Sequence, residues 1–153
     1  MDKLKAGIAV YNTQTDEVAL MRMVDGQVCF TSAKMSQGGE VEIEDIGMNL
    51  ADCREATTAE KIAMQKAMNS QNLVWDSYRK TIQESRFTPK NGDYVRVSIL
   101  GEDIISGVFK CFDENGDIVM YCQLRKDGTL GYSQYEVIGP KENYQFQAIG
   151  SHA

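Results

Sequence analysis

The stretch 92–124, GDYVRVSILGEDIISGVFKCFDENGDIVMYCQL, is the longest β signal in this 153-residue chain, and it narrows the folds open to it. Val95, Val97 and Ile99 alternate with Tyr94, Arg96 and Ser98. That period of two sends successive side chains to opposite faces of a strand. Gly101-Glu102-Asp103 interrupts the run and IISGVFKCF resumes it. Asn115-Gly116 follows, and such a pair accepts positive φ at both central positions of a type I′ hairpin turn. With a two-residue turn there, Tyr121 faces Lys110, while Phe109, Cys111, Met120 and Cys122 form the core side. A second turn at Asp127-Gly128 leads into TLGYSQYEVI, which Gly139-Pro140 stops; Tyr144, Phe146 and Ala148 then alternate in a last edge strand. The expectation is a five-stranded small β-barrel over 87–153.

Residues 1–86 read as a β meander with a capping helix and a short hairpin. LKAGIAVYN, EVALMRM and QVCFTS are three strands joined by the polar turn at 13–16 and by Asp25-Gly26. A two-residue turn at Asp25-Gly26 places Met21, Met23, Val28 and Phe30 on one apolar face. EVEIEDI alternates acid with aliphatic, so Glu40, Glu42 and Glu44 point one way and Val41, Ile43 and Ile46 the other. Strand spacing separates those carboxylates by about 6–7 Å, too far to share a cation unaided. Thr57 and Glu60 have the spacing of a capping box and start a helix through TTAEKIAMQKAMNS. Ala59, Ala63 and Ala67 form its packing stripe, bordered by Ile62, Met64 and Met68, with Lys61 and Gln65 toward water. NLVWDSYRKTIQESR reads either as a hairpin turning at Asp76-Ser77 or as more helix. The fold class is therefore α+β.

Charge and chemistry limit the function. With 16 basic and 22 acidic residues the net charge is −6, which disfavours broad binding to phosphate backbones. Only 57–86 carries a positive balance, five basic residues against three acidic. No apolar run approaches a membrane span and the N-terminus has no signal-peptide pattern, which predicts a cytoplasmic protein. Cys29, Cys53, Cys111 and Cys122 include no C-x-x-C pair, and the one histidine is His152, so neither a metal site nor another cofactor is expected. Without an internal histidine, a phosphate loop or a nucleophile elbow, no catalytic residues are assigned and the chain is not read as an enzyme.

Two resemblances add to this reading. Ala56-Thr57, Glu60-Lys61, Trp75-Asp76 and Lys80-Thr81-Ile82, followed by FTPKNGDYV, make 54–95 resemble a helix-plus-hairpin unit. That unit recurs in uncharacterised proteins of tailed bacteriophages and mobile elements of gut bacteria. The resemblance implies such an origin and a hairpin after the helix; it implies no activity. Val95, Val97, Ile99, Gly107 and Asp113 make 92–120 similar to the first motif of Sm-like RNA-binding barrels. Asp117 stands where that motif has an asparagine, and Ile138-Gly139 where it has arginine-glycine, so the likeness implies backbone shape more than RNA binding.

The expected function is a non-enzymatic interaction protein, either a virion or assembly component or an acidic factor directed at a host protein. Its partner is a protein or another copy of itself, in the host cytoplasm or the virion. The alternative is an Sm-like regulator that binds RNA or single strands through the barrel. Lys110, Tyr121, Tyr132 and Tyr135 are the candidate binding residues, because tyrosine on an outer sheet face buries apolar area while its hydroxyl stays satisfied.

Overall fold

The computed structural model of the protein describes residues 4–36, 38–84, 87–122 and 131–150, with the side chains at 103, 122, 131–134 and 150 left aside. The chain forms two compact units. One is the chain through Arg86 together with Leu100–Glu102, and the other is Phe87–Ile99 with the chain from Asp103 onward. The protein is α+β, mostly antiparallel sheet with one α-helix.

In the first unit β1 (Ala9–Asn12), β2 (Glu17–Asp25) and β3 (Val28–Met35) form the expected meander. The short strands β4 (Val41–Glu42) and β5 (Gly47–Asn49) both pair with β3. A 3₁₀ turn at Leu50–Asp52 leads to β6 (Cys53–Glu55), which pairs with β1. One segment, 47–55, thus begins on β3 and ends on β1, and Val10, Ala19, Met21, Cys29 and Met48 fill the core inside it. The helix α1 (Thr58–Ser70) starts on the capping box, Thr57 accepting from the Glu60 amide and Glu60 from the Thr57 amide. The hairpin β7 (Val74–Asp76) and β8 (Thr81–Gln83) follows, so the helical alternative for this segment falls away. Trp75 is its anchor, fully buried with its indole N–H donating to the Gly7 carbonyl at 3.2 Å.

Several packing expectations are corrected. The β2–β3 turn is Gly26-Gln27, because Asp25 pairs with Val28, and Met23 consequently faces Phe30. A register shift between Met21 and Met23 then sends Met21 into the core and leaves Met23 and Val28 exposed on the other face. Ile43 is 57% exposed, because the strand it was assigned to ends at Glu42. On α1 the alanine stripe faces out: Ala59 and Ala63 are exposed, and the buried face is Lys61, Met64, Gln65, Met68 and Asn69. Those positions follow the three-four spacing of one helix face as well as the alanines do. Polar groups can lie there because each finds a partner. Lys61 Nζ reaches Glu102 at 2.7 Å and Glu55 at 3.3 Å, and the Gln65 side chain pairs with Asn69 and with the Leu100 amide.

The second unit is one five-stranded sheet, β9 (Tyr94–Ile99), β10 (Glu102–Phe112, whose first residue belongs to the first unit), β11 (Asp117–Cys122), β12 (Gly131–Pro140) and β13 (Gln145–Gly150), in the order β12-β11-β10-β9-β13. A 3₁₀ turn, Lys141–Asn143, lets the last strand return beside the first. Among the described residues β12 and β13 share no ladder, so the expected barrel is not closed by hydrogen bonds. Phe109, Phe112 and Phe146 meet edge to face over Val95, Val97, Ile118 and Met120. The β10–β11 turn also differs from a two-residue loop. The Asp113 amide donates to the Asp117 carbonyl and the Gly116 amide to the Asp113 carbonyl, the Asp113 carboxylate accepts the Asn115 and Asp117 amides at 2.9 Å, and only Gly116 takes positive φ (+80°). Three residues form the loop, with glycine in the left-handed position such loops require. The turn assigned to Asp127-Gly128 lies outside the described residues.

Candidate interaction surface

The extra loop residue decides where the candidate side chains go. Phe112 pairs with Ile118, and a bulge at Lys110 then sets Cys111 opposite Val119 and Phe109 opposite Met120. Tyr121 is accordingly out of register with Lys110 on β10, and on its other side it faces Tyr135 of β12. Cys111 moves from the expected core side to the face of Val119 and Tyr121. The core side keeps Phe109, Ile118 and Met120.

Bulged residues re-aim their side chains, and Lys110 extends toward β12, its ammonium 5.0 Å from the centre of the Tyr135 ring. Tyr135 is 60% exposed and Val137, two residues on along the same face, 57%. The Tyr121 hydroxyl donates to Asn91 Oδ1 at 3.3 Å. Three of the four candidate residues, Lys110, Tyr121 and Tyr135, therefore come together on the outer face of β10, β11 and β12. Tyr132 lies on β12 by its backbone, and its side chain is outside the described set. Val137 was missed by sequence reasoning. The alternation Tyr135–Val137 carried the signal, but it reads equally well as a core face.

The surface has an edge as well as a face. β12 is a terminal strand of its sheet, and Glu136 is the one charged residue in the run Gly131–Pro140. An edge strand with few charges and exposed apolar side chains is a template for adding another strand or packing a partner side chain.

The first unit holds a shallow groove of about 580 Å³ between α1 and the sheet, lined by Tyr11, Asp16, Glu60, Ala63 and Lys66 among others. Its polar groups are largely committed to each other. The Tyr11 hydroxyl donates to Asp16 at 2.8 Å, and that bond raises its pKa. Arg54 lies over the Tyr11 ring at 4.4 Å and forks onto both Glu60 oxygens at 2.8 Å. The Arg54 guanidinium, with the Thr57 amide, holds the Glu60 carboxyl down at about 2. Among the described residues no group of three or more His, Cys, Asp or Glu side chains is placed to hold a metal ion. No helix among them is long and apolar enough to cross a membrane.

No protein-family model matches the chain, and no curated protein matches it.

Proposed function

We propose that the chain is a non-enzymatic interaction protein of phage or mobile-element origin, a virion or assembly component or an acidic accessory factor directed at a host protein. The carrying observation is the convergence of Lys110, Tyr121 and Tyr135 beside the exposed Val137 on a sheet edge. Tyrosine and an adjacent cation on a rigid sheet suit docking, since they offer contact area at little cost in side-chain ordering. On this reading it works in the host cytoplasm or in the virion, and the resemblance of 54–95 supports the origin.

Affinity capture from the source cell, run in parallel with light scattering after size exclusion, tests the reading with the intact chain and with Tyr135→Ala. The expected result is a defined protein retained by the parent and lost with the variant, or an assembly larger than a monomer that the variant dissociates. A monomer that captures nothing sensitive to Tyr135 ends the proposal.

A second reading treats the unit as an Sm-like small barrel that binds RNA or single strands. The same geometry favours it, because paired tyrosines beside a lysine resemble a base-stacking platform. Filter binding at low salt decides, and a Kd no tighter than about 10⁻⁴ M, the non-specific range, retires it.

A further inference from the structure

The two units repeat one arrangement. Each has, just before its first strand, a glycine at nearly the same φ, Gly7 at +99° and Gly92 at +97°, whose amide donates to the carbonyl of Met21 or of Phe109. Those two residues donate in turn to the carbonyl just after the glycine, that of Ile8 or of Asp93. Each second strand then bulges by one residue. Met21 and Met23 face Thr31 and Phe30, just as Phe109 and Cys111 face Met120 and Val119. In each the 3₁₀ turn is tied to the last residue of the second hairpin loop, Leu50 to Gln27 and Lys141 to Gly116. Four backbone features match, so positions correspond at the bulge itself, beyond which the first unit has a second register shift between Leu20 and Met21.

The bulged residue is basic in both, Arg22 in one unit and Lys110 in the other. Phe30 pairs with Gly47, and its counterpart Val119 pairs with Val137. Asp45 and Tyr135 each lie two residues earlier, Tyr135 in the ladder of β12 and Asp45 just before the start of β5, and each meets the bulged base of its own unit. In the first unit Arg22 meets Asp45 through both carboxylate oxygens at 3.0 and 2.9 Å. In the second, the carboxylate is replaced by the Tyr135 ring. A ring attracts an ammonium through its quadrupole but offers it neither a counter-charge nor the oxygen acceptors of a carboxylate. Among the described residues Lys110 has no carboxylate partner.

We propose that Lys110 on its Tyr135 shelf is a socket for an acidic side chain of a protein partner, filled from outside as Asp45 fills the matching place at Arg22. This rests on the docking face proposed above and adds the partner's chemistry, an extended segment with Asp or Glu beside apolar residues that lie over Tyr135 and Val137.

The test is selection from a random-peptide display library on the immobilised full chain. The expected peptides are enriched in Asp or Glu. One of them, resynthesised, should lose about tenfold in Kd on K110E. It should lose as much when its own acid becomes the amide, and keep its affinity on K110R. K110M, which retains the aliphatic stem, repeats the charge test should K110E disturb folding, and thermal melts of each variant report that. Peptides that need Tyr135 but show no acidic enrichment, or that ignore both K110E and K110M, overturn the socket and leave the docking face standing. Recovery of no peptide sensitive to Tyr135→Ala overturns both.

Discussion

The side-chain oxygen of Gln65 accepts a 2.7 Å hydrogen bond from the amide of Leu100, and both groups are buried. Leu100 sits at φ +50°, a left-handed conformation that a leucine adopts only when its surroundings hold it there. Replacing Gln65 by leucine preserves volume and leaves that amide without its acceptor. The expected loss is about 1–3 kcal/mol, the cost of an unsatisfied buried donor. Urea unfolding checks it as a lower midpoint at unchanged slope. A variant as stable as the parent would mean that water reaches the Leu100 amide.

Gly101 separates two effects that glycine substitutions usually mix. A Cβ there would lie 2.7 Å from Ser77 Cβ and 3.1 Å from Trp75 Cδ1, and its φ is +79°. Gly26 has φ +64° with nothing within 4 Å of the added atom. Gly26→Ala should cost about 1–2 kcal/mol for the left-handed backbone alone. Gly101→Ala adds about 1–3 kcal/mol for overpacking against the buried hairpin. Equal losses in thermal unfolding would show that Trp75 and Ser77 give way.

The same residues show where sequence reading stops. The β meanders, the capping box and the Trp75 hairpin were legible because alternation, Thr57 with Glu60, and turn residues are local signals. Registers were not. A single residue of loop length separates Asn115-Gly116 as a two-residue turn from the observed loop at 114–116, and that residue, with the bulge at Lys110, takes Tyr121 out of register with Lys110. The bulges at Arg22 and Lys110 have no sequence signature of their own. The helix face was misread for another reason. Ala59, Ala63 and Ala67 and the set Lys61, Met64, Gln65 and Met68 both fit a helical stripe, and only distant groups, Glu102 and the Leu100 amide, decide which one is buried.

Glu60 makes stability depend on pH. Its carboxyl is held at about 2 in the folded chain, first by the Arg54 guanidinium and then by the Thr57 amide, against an ordinary value of 4.5. A folded value below the unfolded one stabilises above the unfolded value and is lost as pH falls through the window from 4.5 toward about 2. Glu60→Gln should flatten that part of the profile and cost about 1 kcal/mol at neutral pH, the scale of one cap. Denaturation at a series of pH values measures both. Parallel profiles for parent and variant would remove Glu60 from the acid response.

Cys53 behaves in the opposite direction. Burial pushes its thiol up to about 12, and the neighbouring Cys29 thiol adds to the shift. Burial raises Cys29 as well. A folded value above the ordinary 9.0 contributes stability below that pH, which is lost as pH rises toward about 12. The thiolate is the reactive form, so at pH 8 Cys53 should resist iodoacetamide until the chain unfolds. Mass spectrometry of pulse-alkylated native protein reads this directly, and rapid labelling of Cys53 would contradict it.

Tyr135 should be almost dispensable for folding. Its ring is 60% exposed, and its described partner is the Lys110 ammonium at 5.0 Å, a contact worth about 0.5–1 kcal/mol at an exposed site. Phe109, 3% exposed and edge to face with Phe112 and Phe146, belongs to the core of the same sheet. Phe109→Ala should cost about 3–5 kcal/mol, because truncation there leaves a cavity as well as losing transfer energy. Tyr135→Ala should stay within about 1 kcal/mol of the parent in chemical denaturation. A docking face must satisfy that contrast, since a residue kept for contact with a partner contributes little to the free chain. Were Tyr135→Ala to destabilise as much as Phe109→Ala, the ring would be holding the sheet together, and its exposure would no longer argue for a partner.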